Sequence, residues 1–184
     1  MIGVDPGTRI VGYGVVETDG SRYRWIAHGV LRADAKRPIP ERLAHLARGL
    51  SEVIAEHAPS DAAIEEAFHG RDASAALRIG EARGALVVAL STAGLSVTGY
   101  ANNVVKRAVT GAGRASKDQV QAMVRRVLAL DAAPSPFDAA DALAVAICHL
   151  QRRGGPEGGD AGELPPRVAE ALRRAGVRPR PRRR

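Results

Sequence analysis

The sequence predicts an α/β fold: a central five-stranded mixed sheet, opened by a hairpin, with helices on both faces. Three observations predict it. Two short β-rich runs stand at the start with Pro6-Gly7 between them. Later strand-like runs alternate with longer stretches whose apolar residues recur at helical spacing. The core residues are Val, Ile, Leu and Ala, with only 3% aromatics, which suits layered packing. At 184 residues the chain is long enough for one well-filled domain.

The first strand begins at once: Ile2 and Val4 alternate with Gly3 and Asp5, so a carboxylate arrives at its carboxyl end. After the turn, Ile10, Val11, Tyr13, Val15 and Val16 make the second strand, and residues 22–31 the third. Pro38 and Pro40 mark the start of a helix over residues 41–57, where Leu43, Leu46, Leu50, Val53 and Ile54 share one face; Pro59 ends it. Residues 61–67 read as a buried strand with two adjacent acids near its end. Residues 74–93 form an Ala-rich helix in which Gly80 and Gly84 would admit another helix, within the fold or across a dimer. The fifth strand covers residues 95–101, and a short basic segment, residues 102–110, follows it. Beyond a glycine loop, Ser116 is the expected N-cap of a helix running to about Leu130. Ser135 and Pro136 are the expected N-cap and first-turn residue of a last helix that ends near Arg153.

The folded domain is therefore placed at residues 1–153, and residues 154–184, rich in Gly, Pro and Arg, are expected to be a largely disordered tail. The formal charge of +7 is uneven. Residues 151–184 hold ten Arg against four acids, whereas residues 1–150 are nearly balanced. Such a tail attracts polyanions loosely and says little about the domain. Cys148 is the only cysteine, in an apolar helical pattern, so a buried side chain is expected and no intrachain disulfide. No apolar run reaches membrane-spanning length, and a strand starting at Met1 leaves little room for a leader. A cytoplasmic protein is expected.

Four acids occupy settings that ill suit an idle charge. Asp5 ends a strand; Glu65 follows Ile64 in an apolar strand; Asp138 and Asp141 are three apart in the first turns of a helix. Each has a plainer reading, as turn former, solvent-facing strand residue or first-turn helix charge. Glu66 rivals Glu65, and strand parity allows only one of them to face Asp5. Together the acids suit a hard divalent cation such as Mg²⁺. Two such ions roughly 4 Å apart can clamp the attacking and leaving oxygens of a phosphodiester.

The chain resembles the RuvC family of Holliday junction resolvases over roughly residues 1–150. The matching stretches are GVDPGTRIVGYGV (residues 3–15), AIEEAF (63–68), ALRIGEARG (76–84), VVKRAVTGAGRASKDQV (104–120) and DAADALAVAICH (138–149). The resemblance implies a ribonuclease-H-like fold and a homodimer that cuts opposed strands of a four-way DNA junction during recombination and repair. It implies Mg²⁺-dependent hydrolysis, with Mn²⁺ substituting and two ions per site, held by Asp5, Glu65, Asp138 and Asp141. It favours Glu65 over Glu66, and it places Lys106, Lys117 and Phe68 against DNA. It also implies the junction-binding and branch-migration proteins of the resolvasome as partners. The tail lies outside the resemblance. The competing classes are another ribonuclease-H-like nuclease with different nucleic-acid preference, a non-catalytic junction-binding adaptor, and a sugar-kinase or actin-like ATPase. The last needs two such domains around its nucleotide.

Overall fold

The computed structural model describes residues 1–66 and 73–153. In chain order the elements are β1 (Ile2–Asp5), β2 (Ile10–Thr18), β3 (Tyr23–Arg32), α1 (Ile39–His57), β4 (Ala62–Glu66), α2 (Ala73–Thr92), β5 (Val97–Ala101), α3 (Asn102–Thr110), α4 (Lys117–Val127) and α5 (Phe137–Arg153). The strands lie in the order β3-β2-β1-β4-β5. The β1–β2 and β2–β3 pairs are antiparallel; β1–β4 and β4–β5 are parallel. This is the mixed, hairpin-led sheet that the sequence predicts. The tail expected over residues 154–184 lies outside the described residues.

Strand parity divides the core in two. Ile2, Val4, Val11, Val15 and Ile64 point to one face, where Leu46 and Leu50 of α1 and Leu86 and Leu90 of α2 cover them. Val16 and Ala63 point to the other and meet Val109 of α3, Val124 of α4, and Leu143 and Ile147 of α5. Each Leu, Ile or Val so buried is worth about 1.5–3 kcal/mol over an exposed one. Cys148 is fully buried in α5, and burial pushes its thiol pKa up to about 11.

The glycines of β1 and β2 are there for α5. A methyl group on Gly3 would run into the Ala142 carbonyl, and one on Gly12 into the Asp138 carbonyl. The helix thus lies against bare strand backbone. At its far end, the buried Asp61, just before β4, pairs with Arg153 and lies 3.6 Å from His149. The His149 Nδ1 is 3.0 Å from the Tyr100 hydroxyl on β5. These contacts pin the carboxyl end of α5 to the amino end of β4 and to β5.

Two helix ends differ from expectation, and one segment gains an element. The basic segment after β5 is a helix, α3, with Val105 and Val109 buried one turn apart and Gly111, at φ 77°, closing it. The last helix begins at Phe137, so Ser135 is not its cap and Pro136 precedes its first turn, with the Pro136 carbonyl accepting from the Ala139 N–H. Helix α4 does start behind Ser116, but stops at Val127 because Ala129 takes a left-handed conformation, φ 52°.

The glycines of α2 admit no neighbour among the described residues: a Cβ on Gly80 or Gly84 would meet nothing within 4 Å. They share an exposed stripe with Leu77 and Val88, 66% and 64% exposed. Among the described residues no helix is long and apolar enough to cross a membrane.

Candidate active site

The site assembles at the carboxyl edge of the parallel strands, where open α/β sheets commonly bind ligands. Gly3 pairs with Ala63 and Val4 with Ile64, so Asp5 and Glu65 leave β1 and β4 side by side. Both share the parity of Gly3 and Ala63, and therefore face α5. Glu66 points away, towards Arg83 and Gly99 on the α2 side. Because α5 runs back across the sheet with its amino end over Gly12, it brings Asp138 and Asp141 to the same edge. Three elements, distant in sequence, thus deliver four carboxylates.

These charges act on one another. Burial, then the neighbouring Glu65, Asp141 and Asp138, pushes the Asp5 pKa well above the usual aspartate value. Burial also raises Glu65, against a hydrogen bond from Asn102 that favours its ionised form. Asp141 is raised by burial and by Asp138, with Lys117 opposing. The Lys117 Nζ lies 3.5 Å from an Asp141 oxygen, and its own pKa stands above the ordinary lysine value because the carboxylates outweigh its partial burial. Lys106, one turn along α3 from Asn102, acts electrostatically on Glu65 and Asp141. Lys117 thus acts on all four acids and Lys106 on Glu65 and Asp141. Phe68 lies outside the described residues.

Lys117 is set by its cap. The Ser116 hydroxyl accepts from the Gln119 backbone N–H at 3.2 Å, while the Gln119 side-chain Oε1 accepts from the Ser116 N–H at 2.8 Å. Replacing Ser116 with Ala should cost about 1 kcal/mol of stability, read from urea unfolding. The same loss frees the first turn that carries Lys117.

The donor set is all carboxylate oxygen, which fits a hard divalent cation rather than a soft metal. Asp5, raised by burial and then by its three carboxylate neighbours, is the group whose charged form such a cation would favour. As they stand, no three His, Cys, Asp or Glu side chains among the described residues are close enough together to hold an ion. Lys117 and Asn102 instead engage oxygens of Asp141 and Glu65. Asn102 is the one site residue that sequence reasoning passes over. The signal for it is the Val105–Val109 spacing, which makes residues 102–110 helical and sets Asn102 one turn before Lys106.

A family profile described as "Crossover junction endodeoxyribonuclease RuvC" matches residues 1–149. A protein of that name from Azorhizobium caulinodans is 49% identical over 154 residues, 84% of this chain and 90% of its own. Its namesake from Acidiphilium cryptum is 49% identical over 149 residues, 81% of this chain and 89% of its own. Among solved structures, Thermus thermophilus RuvC in complex with a Holliday junction substrate superposes with a TM-score of 0.75. It is 38% identical, and the match covers 81% of this chain and 92% of that one.

Proposed function

Since the chain belongs to the RuvC family of crossover junction endodeoxyribonucleases, we propose that it resolves four-way DNA junctions by metal-dependent hydrolysis of phosphodiesters. The observation that carries the reading is the meeting of Asp5, Glu65, Asp138 and Asp141 at one sheet edge, with Lys106 and Lys117 beside them. A pure binder gains nothing from four carboxylates set against phosphates.

In this reading the four acids hold two Mg²⁺ ions, for which Mn²⁺ substitutes. When bound, such ions activate water and offset charge on the phosphoryl oxygens. The protein supplies the rest. Lys106 and Lys117 attract the scissile backbone as point charges. Lys117 exchanges its contact with Asp141 for a phosphate. Packing of α5 against Gly3 and Gly12 keeps the two halves of the acid set in register. Phe68 meets unpaired bases at the junction, and residues 154–184 add loose polyanion affinity beside a nuclease unit of residues 1–153. The reading makes the protein cytoplasmic and working with the junction-binding and branch-migration proteins of the resolvasome.

Paired cutting asks for two sites, so a homodimer is part of the proposal. The exposed stripe of Leu77, Gly80, Gly84 and Val88 on α2 supports it as the facing surface. Leu77→Asp should shift the protein from two copies to one in sedimentation, and opposed nicks should become uncoupled. An unchanged sedimentation coefficient would move the interface elsewhere.

The deciding experiment is cleavage of a synthetic four-way junction beside a matched linear duplex, with Mg²⁺ and with chelator. Paired, metal-dependent nicks confined to the junction are expected. Equal cutting of both substrates would make the protein a broader ribonuclease-H-like nuclease. Tight junction binding without cutting would make it an adaptor.

A further inference from the structure

Among the described residues, Glu65 alone of the four acids accepts a hydrogen bond from a neutral side chain. Asn102 is the first residue of α3, directly after β5 ends at Ala101. The pairing of Glu65 with Tyr100 and of Glu66 with Ala101 brings the strand-to-helix bend beside the end of β4. The Asn102 Nδ2 there donates to Glu65 Oε1 at 2.7 Å, a length typical of a charge-assisted bond. A glutamate side chain has three rotatable bonds, and this contact fixes one of its oxygens.

We propose that Asn102 is a positioning residue: its amide occupies Oε1 of Glu65, holds the carboxylate towards α5, and leaves the other oxygen for a divalent cation. The proposal rests on the reading of the four acids as cation ligands and adds the group that orients one of them. Partners of this kind commonly govern metal affinity without touching the metal. The geometry also separates this role from a merely structural one. Asn102 occupies the first turn of a helix, where an aspartate is at least as favourable for the helix as an asparagine. A structural role therefore predicts that Asn102→Asp is harmless. A positioning role predicts that it is the worst substitution, since a carboxylate cannot donate and repels Glu65.

The test is calorimetric titration of Mn²⁺ into the full-length, DNA-free protein, alongside junction cleavage and junction binding in chelator. Asn102→Ala should weaken Mn²⁺ affinity about tenfold. Asn102→Asp should weaken it further while melting no earlier than the parent in chelator. Both should bind the junction as the parent does in chelator. In a Glu65→Ala background, Asn102→Ala should add no further loss. Parent-like Mn²⁺ affinity in Asn102→Asp overturns the proposal, as does a loss in both variants that merely follows lowered thermal stability. If Glu65→Ala itself binds Mn²⁺ and cuts like the parent, the four-acid reading fails first and takes the proposal with it.

Discussion

Replacing Asp5 with Asn should abolish junction cleavage, by at least about 10³-fold, while leaving junction binding in chelator intact or slightly tighter. The substitution keeps shape and removes charge from the carboxylate that interacts with all three others. Binding survives because the basic contacts remain and one repulsive charge is lost. The same variant changes stability. The Asp5 pKa is raised in the folded state, so the native protein binds this proton more tightly than the unfolded chain. In chelator, the parent should therefore lose stability as pH rises from the ordinary carboxylate value near 3.8 through the raised one. The Asn variant lacks that component, and its melting temperature should fall less over the same window. Melting curves in chelator from pH 4 upward check the sign. Parent-like cleavage would remove Asp5 from the chemistry.

Gly12→Ala should be nearly as damaging, though it touches no catalytic atom. The added methyl meets backbone atoms of Asp138 and Ala139, which cannot rotate away, so α5 must lift from the sheet. Overpacking of this kind costs about 1–3 kcal/mol. A displacement of about 1 Å between Asp138 and Asp5 would cost roughly 10²-fold in rate. Gly80→Ala is the contrasting case: within the protomer its methyl meets nothing within 4 Å, so the acid set keeps its place and any effect falls on the α2 stripe proposed as the dimer surface. Single-turnover cleavage and thermal midpoints of the two variants compare the effects directly. If Gly12→Ala cuts and melts like the parent, α5 does not press on the strands.

What could be read from the residues depended on whether the cause was local. Strand alternation in Ile2–Asp5 and the proline-flanked amphipathic run of α1 are local patterns, and both elements form where they indicate. The Ser116–Gln119 box is likewise local. Choosing Glu65 over Glu66 was not, because parity matters only once β4 is paired with β1. The glycines of β1 and β2 read as turn punctuation or as weak strand positions. Their reason lies some 130 residues away, in the helix that lands on them. Helix α3 was hidden by its polar residues, which mask the spacing of two valines. Asn102 gives no local signal of its role, because its partner Glu65 lies on β4, 37 residues away.

The order in which the chain is made gives the placement of α5 a further meaning. The helix that presses on β1 and β2 is the last of the described elements, and it carries half of the acid set. A nascent chain exposes Asp5 early and Glu65 midway, but holds neither against its partners until α5 has emerged and docked. Translation products that stop short of α5 therefore carry no assembled acid set. Under the proposed function, competence to cut DNA arrives only once α5 has docked.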